Sequence, residues 1–185
     1  MRGALRLRST HSCQSQTLTV TLVMVFMPFL ITLLIILVTT FRHEGSHALA
    51  TVLQGVELIE VRLLPGVRED VGFYFGYVIR GDGGTWLIDA APFISAVVWF
   101  LIAYIILRNR TLPNRLWLLV FLIGIVSPLV DLIYNYQGGF WREGSDVADL
   151  LVSLPDVVVH LYFGVAIALC GLAARTLWLK HHHQG

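Results

Sequence analysis

Residues His43, Glu44 and His47, in the stretch FRHEGSHALA (41–50), have the types and the spacing that suit metal-assisted hydrolysis. On an α-helix, two histidines four residues apart project from one face and can share a Zn²⁺, while Glu44 stands beside the metal as general base. Zinc lowers the pKa of a bound water toward about 7, and the glutamate takes the proton as the oxygen attacks a carbonyl. Two imidazoles leave such a centre one protein ligand short, because catalytic zinc sites use three plus water. The extended form of the motif is excluded, since Ala50 and Leu53 stand where its Gly and third His would be. Glu57 and Glu60 lie past Gly55, where the chain has left the helix, so a downstream carboxylate is the better candidate. Asp146, in REGSDVADL, follows the small residues Gly144 and Ser145, which let backbone approach closely, and it opens an apolar segment. Asp131 is the runner-up ligand, and Asp149 and Asp89 are weaker ones. Ser145 or Asp146 could instead cap the helix that follows.

The elements that must position these residues read as membrane helices. The 185-residue chain is 56% hydrophobic and only 14% charged, with a mean hydropathy of +0.74; soluble domains carry about 25% charged residues. A spanning helix needs about 20 predominantly apolar residues. Four segments meet that need: Thr17–Thr40 with no charge, Thr85–Leu107 with only Asp89, Leu116–Tyr136 with only Asp131, and Val157–Leu179 with His160 and Arg175. The fold class expected is an all-α integral membrane protein of about four transmembrane helices, with a small β-hairpin-like insertion after the first. The first run is too long for the apolar region of a signal peptide, so it reads as a retained helix. Continued from Leu22 to Gly55 it would be about 50 Å long, against a hydrocarbon core of about 30 Å. It must tilt, kink near Pro28, or break.

Arg2, Arg6 and Arg8 precede the first span, Arg108, Arg110 and Arg115 separate the second from the third, and Lys180 follows the fourth, all without an acidic neighbour. The acidic residues fall in spans or in segments 56–84 and 137–156. Short cytoplasmic loops are enriched in Lys and Arg. Both termini are therefore expected to be cytoplasmic in the cell membrane, with the histidine motif and Asp146 together toward the opposite side. Segment 56–84 reads as two or three short strands, from the alternation over 56–63 and the β-branched and aromatic run Val71–Ile79. The division expected is a tail at 1–16, a membrane domain at 17–179 and a tail at 180–185.

A net charge of +1 leaves no electrostatic footprint for nucleic acid. Cys13 and Cys170 are too far apart in context for a disulfide scaffold or a zinc ribbon. The tract His181–His183 reads as a solvated tail. His160, four residues after Asp156, could pair with it, but reads as a histidine satisfied by a neighbour. Trp86, Tyr134, Tyr136, Trp141 and Trp178 sit near span ends, where an aromatic belt accounts for them.

Taken together, the chain resembles a small, divergent member of the site-2 protease family of membrane-embedded zinc metalloproteases. The likeness runs from Leu22 to about Leu151 and rests on HEGSHALA, on Gly55 followed by VELIEVRLLP, on DAAPFISAVVWFLIAYI, and on a downstream Asn with an Asp in a Gly-containing turn. It implies His43 and His47 as zinc ligands, Glu44 as base, Asp146 as third ligand and Asn135 near substrate. It also implies an endopeptidase that cuts in or next to a transmembrane segment of a membrane protein substrate, in contact with the lipid bilayer. The insertion could hold an unwound substrate by edge pairing. Two departures stand out. Gly45 and Ser46 replace the family's bulky aliphatic residue and Gly, and NYQGGFWREGSDV lacks the family's Pro and has Val147 after the Asp. A non-catalytic zinc-binding scaffold of the same fold is the alternative. A transporter fits less well, because no half of the chain is repeated.

Overall fold

A computed structural model describes residues 8–69, 72–142 and 144–184. Arg2, Arg6 and Val71, on which the topology and strand expectations partly rest, lie outside the described residues. The chain divides into two compact units, Met1–Leu34 and Ile35–Gly185. Helix α1 (Arg8–Leu53) carries Pro28 inside it and continues through it as helix. In the first unit the Thr32 hydroxyl donates to the Pro28 carbonyl at 2.9 Å, and Phe26, Phe29 and Leu30 are exposed.

In the second unit α1 ends in a Schellman motif. Gly55, at φ +69°, occupies the left-handed position that glycine adopts without a Cβ clash, and the Gly55 and Val56 N–H groups donate back to the Val52 and Thr51 carbonyls. The chain then enters the insertion as four strands: β1 (Leu58–Arg62), β2 (Gly66–Arg68), β3 (Gly72–Tyr74) and β4 (Tyr77–Arg80). β1 pairs antiparallel with β4, and β2 with β3, so the strands nest as one hairpin. Pro65, which has no N–H to donate, and Phe75–Gly76 interrupt its two arms. That is why two or three expected strands resolve into four.

Four helical stretches among the described residues are long and apolar enough to cross a membrane: Phe26–Leu53, Leu87–Asn109, Asn114–Gly138 and Asp156–His183. The second is α2 (Leu87–Asn109). The third consists of α3 (Asn114–Phe121), a π turn at Leu122–Val126, and α4 (Ser127–Gly138). A short α5 (Asp146–Ser153) precedes the last, α6 (Asp156–Gln184). α6 runs through His181–His183, and the His181 ring stacks on Trp117 at 3.9 Å between centroids. The tract is thus a helical continuation, with His182 and His183 exposed and His181 partly covered.

Lipid tails are as apolar as leucine, so membrane helices associate through close packing and polar contacts more than through the hydrophobic effect. The interior shows this: Ala96 and Ala103 of α2 are buried, and Gly124 of the π turn sits against Ala103 where a Cβ would not fit. Phe93, Leu132, Val147 and Phe163 pack α2, α4, α5 and α6 together at one level, and Phe100, Trp117, Phe121, Ile125 and Cys170 pack α2, α3, the π turn and α6 at another. Outward residues such as Ile102 and Ile105 of α2 and Leu169 and Leu172 of α6 are apolar and exposed, as a lipid solvent permits.

Candidate metal centre

The i,i+4 spacing brings His43 and His47 to one face of α1, with ring centroids 5.1 Å apart. Both are buried. The first residue of α5 meets them there: Asp146 Oδ2 lies 2.9 Å from His43 Nε2 and Oδ1 lies 3.2 Å from His47 Nε2. Ser145 is the N-cap, its hydroxyl accepting from the Ala148 N–H. The capping role open to Ser145 or Asp146 therefore falls to the serine, and the aspartate carboxylate faces the histidines.

The outer nitrogens decide what those three groups can bind. His47 Nδ1 is 2.9 Å from the Ile88 carbonyl, which can only accept, so Nδ1 carries the proton. His43 Nδ1 lies 3.1 Å from Asp131 Oδ1 and donates to that carboxylate. A neutral imidazole protonated at Nδ1 presents a lone pair at Nε2. In that state the two lone pairs and the carboxylate, turned toward one another, are a set of acceptors that a cation would satisfy. Tetrahedral zinc bonds of about 2.0–2.1 Å place ligand atoms about 3.3 Å apart, close to the 2.9 and 3.2 Å seen. Among the described residues, His43, His47 and Asp146 are the one group of this kind that could hold a metal ion.

The Ile88 carbonyl is free for this purpose because of the residue four positions on. In an α-helix it would accept from the N–H of residue 92, but residue 92 is proline, inside α2 and without an N–H. The gap in the helical ladder becomes the acceptor for His47.

Asp131 does not join the three converging groups. It stands behind His43, accepting from that ring, from Asn135 Nδ2 at 2.8 Å, and from the Arg42 guanidinium in a buried ion pair. Arg42 also donates to the Pro92 carbonyl at 2.8 Å and to Ser95 Oγ at 3.0 Å, tying α1 to α2. Asn135 thus touches Asp131, an outer partner of the centre. A buried ion pair broken on one side leaves an uncompensated charge. Asp131→Asn should therefore destabilise the protein by about 3–5 kcal/mol, and adding Arg42→Gln should recover most of it, as thermal unfolding in detergent would show.

Of the weaker carboxylates, Asp89 pairs with Arg80 Nη2 at 2.9 Å and Glu60 with Arg62 Nε at 2.7 Å. Glu57 and Asp149 are not in the metal-capable group either. His160 bonds the Tyr136 hydroxyl at 3.1 Å, the satisfied histidine expected. Glu44 is half-buried on α1. Gly76 of the insertion lies directly on it: a Cβ at Gly76 would come within 2.8 Å of Glu44 Cγ and 2.6 Å of Thr40 Cγ2. Sequence reasoning did not find the roles of Arg42, Gly76 or the Ile88 carbonyl. The signal for Arg42 was present as a lone cation in an apolar helix, needing the single acid of the third span as counter-ion.

A family model described as Peptidase M50B-like matches residues 16–134, more than half of the chain. Neither a curated protein nor a solved structure matches it. The matched stretch holds His43, Glu44 and His47 and ends before Asp146.

Proposed function

The chain belongs to the peptidase M50B-like family, and from that premise we propose that it is a membrane-embedded zinc endopeptidase, hydrolysing a peptide bond in or beside a transmembrane segment of another membrane protein. The observation that carries the reading is the set of three acceptors, His43 Nε2, His47 Nε2 and Asp146 Oδ, whose histidines are pinned from behind. These residues would hold the zinc, which when bound supplies an acidified water and a Lewis acid for the scissile carbonyl. Glu44 accepts a proton from the attacking water as the new C–O bond forms. It returns that proton to the amide nitrogen as the C–N bond breaks. The insertion supports a place for the substrate. Its outer strand edges are unpaired among the described residues, and Gly76 brings it against Glu44, so an extended peptide added at an edge would lie near the base. The basic segments flanking the spans favour an orientation with both termini cytoplasmic.

The second reading, a zinc-binding scaffold without activity, draws on the family match ending before Asp146. Purified protein in detergent separates the two: bound zinc together with cleavage of membrane-spanning peptides supports the protease, and zinc without cleavage of any such peptide supports the scaffold.

The gap at Pro92 yields a prediction with two signs. Pro92→Ala restores an N–H that competes for the Ile88 carbonyl. Proline in a helix interior is about 3 kcal/mol less favourable than alanine, so the variant should melt higher. It should also bind zinc about 10–100-fold more weakly, the usual cost of losing an outer partner of a ligand. Chelator competition reads the affinity, and ¹⁵N shifts of the metal-free His47 ring read the loss of a fixed Nδ1–H. Zinc affinity that is unchanged or increased would show that the ladder gap does not orient His47.

A further inference from the structure

The opposite end of α2 holds a second polar feature that hydrolysis does not use. Arg108 lies twenty residues beyond Ile88 in the same helix, about 30 Å along its axis. There a cavity of about 200 Å³ is lined by Arg108, Arg110, Trp117, Leu177, Lys180 and His181, among others. Arg108 donates to the Tyr104 hydroxyl at 3.2 Å, and among the described residues no carboxylate pairs with Arg108, Arg110 or Lys180. No Asp or Glu side chain occurs from 90 to 130 or after 156. Membrane insertion alone accounts for cations near span ends. It does not require that cations from α2, from the turn leaving it and from α6 face one cavity without a counter-ion.

We propose that this cavity seats the phosphate of an anionic phospholipid headgroup. The cations supply charge-assisted donors for phosphate oxygens. Leu107 and Leu177 give an apolar wall for the glycerol and upper acyl carbons, and Trp117 stacked on His181 closes another side. The cavity lies where α2 ends and α3 begins, so its depth is that of the headgroups, where tryptophan is enriched. Basic pockets between span ends bind such lipids elsewhere. Free phosphate shares the chemistry but not the apolar wall.

The test is thermal unfolding of the full chain in neutral detergent, titrated with short-chain phosphatidylglycerol, phosphatidylcholine or inorganic phosphate. Phosphatidylglycerol should stabilise the protein saturably and the other two should not. Arg110→Gln with Lys180→Gln should weaken the apparent affinity by about fivefold for each cation removed. Arg115→Gln with Arg175→Gln removes the same charge near the same span ends but outside the cavity, and should leave the affinity intact. Equal loss in both double variants would mean diffuse charge attraction, and an equal shift with inorganic phosphate would mean a free-anion site; either overturns the proposal. Should the cavity variant fail to fold, native mass spectrometry of the unmutated protein decides. One tightly retained anionic lipid per chain supports the site, and a graded series or none overturns it.

Discussion

Glu44→Gln is expected to leave zinc bound and to slow peptide hydrolysis by about 10⁴-fold. The amide matches the carboxylate in size, which matters because Gly76 packs against the Glu44 side chain and Thr40. It cannot accept the proton that the attacking water must lose. Glu44 contributes no atom to the group formed by His43, His47 and Asp146, so zinc stoichiometry should be unchanged. General-base catalysis by a positioned side chain contributes about 10²–10⁴-fold, and the loss in turnover should fall at the upper end of that range. The measurement pairs zinc analysis with cleavage of a panel of membrane-spanning peptides. Full activity in the variant would remove Glu44 from the mechanism. Absence of cleavage by both proteins, each loaded with zinc, would favour the scaffold.

Asp146→Ala should lose zinc more completely than any other single change outside the two histidines. Ser145, not Asp146, caps α5, and Val147 and Leu150 anchor that helix in the core, so the fold should survive removal of the carboxylate. What disappears is the anionic member of the donor set. The loss in affinity should exceed the roughly 10–100-fold cost of losing an outer partner. Asp131→Asn should fall within that range, because Asp131 reaches the metal position only through His43. Zinc titration of both variants by chelator competition orders them. If Asp131→Asn released more zinc than Asp146→Ala, the assignment of ligand and outer partner would have to be exchanged.

Much of this is visible in the amino-acid sequence, for identifiable reasons. His43, Glu44 and His47 lie on one helical face whatever the tertiary structure, so their spacing alone points to shared chemistry. Asp146 could be chosen because charge asymmetry places it on the same side as the motif, a property of topology and not of packing. Long apolar runs mark the four spans in the same local way. The rotation of one span against another is not local. That Asp131 turns toward Arg42 and His43 depends on how α4 packs against its neighbours, and the sequence shows only that a cation and an acid each lack an obvious partner. The contact of Gly76 with Glu44 depends on how the hairpin folds back, which no periodicity encodes. His181 reads as tail because the apolar pattern has ended, yet its ring finds Trp117.

The carbonyl of Ile88 belongs to a class of contact that inheritance treats unusually. Every amino acid at position 88 supplies the same oxygen, so drift there is silent toward His47 as long as the turn keeps its shape. Sensitivity is transferred four residues along, to position 92, where every coded residue other than proline brings back the competing N–H. A lineage could thus lose the proposed zinc site through a change that makes α2 a better helix, and selection for thermal robustness alone would favour that loss. Retention of proline at 92 in working relatives would then record selection on the metal, with none of the record written at the residue that makes the bond.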